Sequence, residues 1–228
     1  MKKMRKKISK TKTREQESYT PYYKLILIGE NEVGKTELLR RFTGEKYLGI
    51  YYPTFGVDFR IKSIYDEKGN LSTDVQLIDI AGEKDEMHTK IEDDFIKNAN
   101  AFLCVFDIND ENSVIKAVNI KESYEDKLGE FKKNKKWYLI ANKKDKDLLD
   151  KKIPFQYKNR FNNYFEISAN TSKDSEFDII LRKIIEELNL QQKENKGIID
   201  DSEMEKENFE IDFETAHGNV FDEECEIF

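Results

Sequence analysis

Residues 24–36 read KLILIGENEVGKT, and this stretch limits what the chain can fold into more than any other. Leu25, Ile26, Leu27 and Ile28 form a short, unbroken apolar run, the pattern of a strand buried on both faces. Gly29 ends the run, and Gly34, Lys35 and Thr36 follow at the spacing G-x-x-x-x-G-K-[ST]. Two glycines so placed let the backbone wrap until the N–H groups of Glu30, Asn31, Glu32 and Val33 point inward at an anion. Lys35 adds a cation for terminal phosphates, and the Thr36 hydroxyl is a hard oxygen ligand of the kind Mg²⁺ takes. A helix starting near Gly34 directs its positive end at the same place.

Beyond this stretch, apolar strand-like runs alternate with helical patterns. The runs are 24–29, 55–65, 73–80, 101–108, 136–143 and 164–169, and the helical segments are 34–43, about 91–98, 111–130, 154–162 and 173–190. Buried strands alternating with helices predict an α/β fold. The expected architecture is a P-loop NTPase: a six-stranded, mostly parallel sheet with about five flanking helices. Asp66, Lys68, Gly69 and Asn70 make a turn-rich link between the second and third runs, so a hairpin with one antiparallel edge strand is expected there. Phe177, Ile180, Leu181, Ile184, Ile185 and Leu188 form the buried stripe of the last helix.

In such sheets, ligands sit beyond the carboxyl ends of the strands. Polar, turn-prone clusters follow four of the runs: Gly29–Thr36, then Asp79-Ile80-Ala81-Gly82, then Asn142-Lys143-Lys144-Asp145, then Ser168-Ala169-Asn170. All four are expected on one rim.

Charge divides the chain into three parts. Lys2, Lys3, Arg5, Lys6, Lys7, Lys10, Lys12 and Arg14 crowd the start without an acid among them. The last forty or so residues hold roughly four times as many acids as bases. A basic disordered arm over 1–20, a folded domain over 21–190 and an acidic, mostly disordered tail over 191–228 are expected. Phe209, Ile211 and Phe213 sit in that tail either as solvated residues or as an acidic-hydrophobic docking strip. No apolar run is long enough to span a bilayer, and the N-terminus lacks the apolar core of a signal peptide. Cys104 lies in an apolar strand and Cys225 in a charged tail, so no disulfide is expected. His88 and His217 have no partners at metal-ligand spacing.

GENEVGKT, YPTFGVDF, DIAG, NKKD and SAN, in this order, resemble the Ras superfamily of small GTPases, and YPTFGVDF is most similar to the Rab branch. The resemblance covers about residues 22–190 and implies a GTP/GDP switch with Mg²⁺ that acts in vesicle traffic. It implies that Thr36 and Thr54 ligate the metal, with Asp79 holding it through water. Thr54 and Gly82 would read the γ-phosphate, making 46–55 and 82–95 the two switch segments. Exchange factors, activating proteins and effectors would bind these segments. Lys35, Thr54, Gly82 and the residue at Glu83 would serve hydrolysis, and Tyr47 would lie against the guanine. Asp145 would accept from the guanine N1–H and exocyclic amine, which adenine does not present as donors. Asn142 would brace the site, the Lys143 stem would cover the ring, and the Ala169 N–H, between Ser168 and Asn170, would meet O6.

Three positions depart from the family pattern. Glu83 stands where a glutamine usually orients the attacking water; an ionised carboxylate only accepts, and it brings negative charge to the γ-phosphate. Slow intrinsic hydrolysis is expected, with a GTP-loaded scaffold as the other reading. Glu32 replaces a small residue, and its carboxylate either turns outward or repels the phosphates. Switch II reads GEKDEMHTK, and Ile78 replaces the tryptophan common in Rab relatives, leaving Phe59 and Phe95 of the effector-binding aromatics.

Cys225-Glu226-Ile227-Phe228 fits a prenylation motif, with Phe last favouring geranylgeranyl. One lipid usually needs a second membrane signal, which the arm at 2–14 supplies and the acidic tail does not. Nucleic-acid contact, a nuclear address or pairing with the tail are competing uses of the arm, though no nucleic acid is expected as a partner. The expected location is the cytosolic face of a membrane, with peripheral attachment.

Overall fold

Apolar residues on both sides of the central strands need a layer of helices on each face of the sheet, and that is what the chain builds. A computed structural model describes residues 22–50, 54, 56–66, 68–69, 71–80, 93–146 and 153–198. The strands are β1 (Tyr22–Gly29), β2 (Val57–Tyr65), β3 (Leu71–Ile80), β4 (Ala101–Asp107), β5 (Lys136–Asn142) and β6 (Asn163–Glu166). The helices are α1 (Lys35–Phe42), α2 (residues 93–98), α3 (Glu111–Leu128), α4 (Phe155–Lys158) and α5 (Asp174–Ile198). The sheet order is β2-β3-β1-β4-β5-β6. Every pairing is parallel except that of edge strand β2 with β3, as the sequence leads one to expect.

Alternate residues of the central strands feed two cores. Leu25, Leu27, Val75, Leu77, Leu103 and Val105 pack under α1 and α5, where Phe42 meets Phe177 edge to face at 5.2 Å. Ile26, Ile28, Ile78, Phe102, Cys104 and Phe106 pack under α3, with Phe102 stacked on Trp137 at 4.3 Å. Each fully buried side chain of this size contributes about 1.5–3 kcal/mol, so the central strands are the most firmly held part of the rim. Cys104 is free and fully buried, and burial pushes its thiol well above the usual range.

Several boundaries differ from expectation, four of them for a visible local reason. The helix expected over 154–162 is only Phe155–Lys158, because Asn162 is recruited to the sheet: its N–H donates to the Trp137 carbonyl and its Oδ1 accepts the Trp137 N–H, both at 2.8 Å. β6 stops at Glu166, where Ser168 begins a turn by accepting the N–H groups of Asn170 and Thr171. α3 ends at Leu128, since Gly129 leaves helical geometry, and a 3₁₀ turn (Gly129–Asn134) follows. α5 continues to Ile198, past the expected end at 190. Its apolar stripe runs out near Leu190, but Gln191, Gln192, Lys193 and Glu194 are good helix formers. The first compact unit ends at Leu190.

The hairpin between β2 and β3 closes as expected, with the Gly69 N–H donating to the Asp66 carbonyl at 3.0 Å.

Candidate functional site

The turns after β1, β5 and β6 and the end of β3 meet around one cavity of about 620 Å³, a size suited to a nucleotide. Asn31, Glu32, Gly34, Lys35 and Thr36 line it from the first turn, and Asp79 from β3. Asn142, Lys143 and Asp145 line it from the turn after β5, and Ser168, Ala169 and Asn170 from the turn after β6. Tyr47 and Thr54 reach it from 46–55. Gly29, Glu30 and Val33 do not line the cavity. Val33 is buried, and the Glu30 carboxylate turns to Lys116 of α3 in an ion pair.

The turn after β1 is already folded for an anion. The Lys35 ammonium reaches back across it, donating to the Gly29 and Glu30 carbonyls at 3.1 and 2.8 Å. Burial pulls the Lys35 pKa down, against the opposing pull of Asp79 and Glu30. A phosphate oxygen would give that ammonium a better partner than neutral carbonyls. Glu32 is exposed and sits at φ 65, a conformation that strains a residue with a Cβ. Glu32→Gly is expected to stabilise the protein by about 1 kcal/mol and to slow nucleotide release, since it removes both the strain and an acid at the cavity wall. Thermal melts with nucleotide off-rates check this; a variant that melts lower and releases faster contradicts it.

Three oxygens meet at the foot of the cavity. The Thr36 hydroxyl donates to Asp79 Oδ2 at 2.5 Å, and Thr54 Oγ1 lies 2.9 Å from Thr36 Oγ1 and 3.5 Å from Asp79 Oδ2. Asp79 is 1% exposed, and its Oδ1 has no hydrogen-bond partner among the described residues. Burial raises the Asp79 pKa, with the Thr36 bond and the Lys35 charge opposing it. A buried carboxylate oxygen left unsatisfied costs stability until a cation or water supplies a partner. No group of three His, Cys, Asp or Glu that could hold a metal exists among the described residues. Hydroxyls, one carboxylate and a ligand's phosphates are the donor set that suits Mg²⁺, so the residues fit that ion.

The other end of the cavity is lined by the turns after β5 and β6. Asn142 braces it: its Nδ2 donates to the Val33 carbonyl at 2.8 Å, and its Oδ1 accepts the Ala169 N–H at 3.1 Å. An O6 acceptor at Ala169 would therefore share or displace that bond. Ser168 Oγ donates to Asp145 Oδ1 at 2.6 Å, and Asn170 Nδ2 to Oδ2 at 3.2 Å. Burial works to raise the Asp145 pKa, but these hydrogen bonds outweigh it and the net shift is down. The carboxylate is thus held ionised, with lone pairs free for two donors of a ligand.

Asp107, at the end of β4, was not legible in the sequence. It pairs with Lys143 Nζ at 2.9 Å and fixes that side chain, whose backbone sits at φ 64. Only the third dimension brings these two together; an acid closing an apolar strand was the one available signal. Asp58, Arg60 and Arg40 also line the cavity unforeseen. Asp58 pairs with Asp79 across β2 and β3, and Arg60 and Arg40 both bind Glu45. Gly82 and Glu83, with all of 81–92, lie outside the described residues. So do residues 51–53 and 55 of the first switch segment, residues 1–21 with the arm expected over 1–20, residues 147–152, and everything from 199 onward, Cys225 included. Phe59 is exposed on β2, and Phe95 packs partly buried against the core under α3.

Residues 24–189 match the Ras family. The chain is 28% identical over 172 residues to the Ras-related protein RabC of Dictyostelium discoideum, covering 71% of this chain and 83% of that protein. It is 34% identical over 129 residues to the Ras-related protein RABD2a of Arabidopsis thaliana, covering 56% and 59%. It is 36% identical over 95 residues to the GTP-binding protein YPTM2 of Zea mays, covering 42% and 45%. Against the last two, the aligned part of the chain spans roughly half the relative's length.

Proposed function

The chain belongs to the Ras family of small GTPases, and from that premise we propose a GTP/GDP switch that regulates vesicle and membrane traffic and hydrolyses GTP slowly. Ras-family GTPases bind GTP and GDP, generally with Mg²⁺, and act through regulators and effectors. The observation that carries the reading is one cavity holding both the turn of Lys35 and Thr36 and the aimed Asp145 carboxylate. In this reading, the amides after Gly29 and the Lys35 ammonium hold the phosphates. Thr36 and Thr54, with Asp79 acting through water, would hold Mg²⁺, which would supply positive charge beside the phosphates. Asp145 selects guanine, Lys143 and Tyr47 flank the base, and Asn142 and Ala169 complete its edge. Thr54 and Gly82 sense the γ-phosphate, so that segments 46–55 and 82–95 change order with nucleotide state and recruit partners accordingly.

Calorimetric titration of the purified protein in Mg²⁺ with GDP, GTP, ADP and ATP tests this. Binding of both guanine nucleotides and neither adenine nucleotide is expected; heat from none of them, or from ATP alone, overturns the reading.

Glu83 supports the slow-hydrolysis part. A carboxylate cannot donate to the transition state as an amide does, and its charge opposes that of the γ-phosphate. Glu83→Gln is expected to raise single-turnover GTP cleavage by about tenfold or more. An unchanged rate removes Glu83 as the brake. The same residue favours the second reading, a GTP-loaded scaffold with almost no hydrolysis, and multiple-turnover phosphate release separates the two.

Membrane attachment at the cytosolic face rests on Cys225 as a prenyl acceptor, assisted by the basic arm at 2–14. No helix among the described residues is long and apolar enough to cross a membrane. Membrane partition that survives Cys225→Ser removes the lipid from this account.

A further inference from the structure

Arg41 of α1 is not among the residues that line the nucleotide cavity, and neither the phosphate, metal nor base reading uses it. Its side chain is only 10% exposed, in a helix whose other buried residues are apolar. It touches three segments at once. Nη2 donates to the Ser172 carbonyl at 2.7 Å, and Nη1 donates to the Glu45 carbonyl at 3.1 Å. Nη1 also pairs with Asp174 Oδ1 at 2.9 Å, and the guanidinium lies 5.0 Å from the centre of the Phe177 ring.

The segments it joins carry different parts of the site. α1 begins with Lys35 and Thr36 of the phosphate turn. Glu45 opens the stretch that leads to Tyr47. Ser172 closes the loop that aims Asp145, and this loop is hydrogen-bonded to itself: Ser172 N–H donates to the Ser168 carbonyl, and Ser168 N–H to Ser172 Oγ. Ser168 and Asn170 then hold one Asp145 oxygen each. Any shift of Ser172 is therefore passed to Ser168 and on to the carboxylate.

We propose that Arg41 is a positioning residue that fastens loop 168–172 to the helix of the phosphate turn and so sets how strongly the site prefers guanine over a purine without the 2-amino group. The inference rests on the guanine-nucleotide reading above and concerns the specificity of that same site. The two carbonyl bonds carry the effect rather than the ion pair. Asp174 is 67% exposed, and an ion pair so open to water adds little. A carbonyl bonded to a buried cation is a stronger tie, and it is left unmatched when the cation is removed. A planar fork can span two carbonyls in a way that an ammonium cannot.

Guanine engages both Asp145 oxygens, whereas hypoxanthine, lacking the amine, engages one. Loosening the aim of the carboxylate therefore costs GDP more than IDP. The test measures release of GDP and IDP from the full-length protein in Mg²⁺, together with their competitive affinities, for wild type, Arg41→Gln, Arg41→Lys and Asp174→Asn. Arg41→Gln is expected to speed GDP release about tenfold and IDP release much less, so the preference for GDP narrows by a similar factor. Arg41→Lys falls between, and Asp174→Asn keeps the wild-type preference.

Equal acceleration of both nucleotides by Arg41→Gln, or an unchanged preference, overturns the proposal, because general loosening of the fold does not distinguish the two bases. Should Arg41→Gln fail to fold, Arg41→Lys decides: a wild-type preference in it overturns the proposal, and a narrowed one supports it. An Asp174→Asn variant that narrows the preference as far as Arg41→Gln also overturns it. A wild-type protein that binds neither diphosphate brings down the guanine reading, and this inference with it.

Discussion

Asp145→Asn is expected to weaken GDP binding by a factor on the order of 10³ to 10⁴ and to move the preference toward xanthine nucleotides. Guanine presents two donors on one edge, N1–H and the 2-amine. Asp145 is prepared for both, since Ser168 Oγ and Asn170 Nδ2 each satisfy one oxygen from the side and keep the carboxylate ionised. An amide in its place turns one acceptor into a donor and sets it against the amine, leaving two donors facing each other. Xanthine carries a carbonyl where guanine carries the amine, so the new donor finds an acceptor there. The exchange also puts an amide N–H₂ against either Asn170 Nδ2 or the Ser168 hydroxyl, so some loss of stability accompanies it. Competitive titration with GDP, IDP and XDP measures the effect. GDP affinity within about threefold of wild type would mean that Asp145 does not read the base.

The parts of this molecule legible in the sequence are those whose physics is local. The β1 strand and its turn are written in consecutive residues, because an unbroken apolar run must be buried and Gly29 and Gly34 must follow it. The antiparallel edge was legible for the same reason, since the Asp66–Gly69 turn leaves no room for a crossover. α4 and β6 differ in extent from expectation because hydrogen bonds that the apolar pattern does not show decide where they stop. Asn162 leaves the helical pattern to serve Trp137, and Ser168 leaves the strand pattern to bond the amides of its own loop. The far end of α5 was misjudged for the opposite reason. Apolar periodicity ends near Leu190, while backbone propensity carries the helix to Ile198.

The candidate site divides along the same line. Thr36, Asp79 and Asp145, which line one cavity, are legible because each lies at the end of a strand or in the turn that follows one. Asp107 and Arg41 act on the site through Lys143 and Ser172, and nothing in the spacing of the chain links either pair. A strand-end rule finds residues that face the ligand; it does not find those that hold them in place.

The two glycines of the first turn should fail in different ways when a methyl group is added, and the difference tests how the turn is built. A Cβ on Gly29 would lie 2.3 Å from the Val105 carbonyl oxygen. That oxygen belongs to β4, a central strand paired on both sides and buried between two cores, so it cannot retreat cheaply. Gly29→Ala is therefore expected to destabilise the whole domain by about 3 kcal/mol, a fall in Tm of roughly 6–12 °C at this size, with or without nucleotide. A Cβ on Gly34 would lie 2.4 Å from Asn142 Nδ2 and would sit at φ 93. Asn142 is a side chain, but its two ends are tied to the Val33 carbonyl and the Ala169 N–H, so the methyl group displaces the brace between phosphate turn and base loop. Gly34→Ala is expected to lose about a hundredfold or more in GDP affinity while the ligand-free protein falls in Tm by less than the Gly29 variant does. Melting curves of the ligand-free proteins beside GDP titrations separate the two outcomes. If Gly34→Ala binds GDP as tightly as wild type, Asn142 is free to move aside and does not join the two halves of the site.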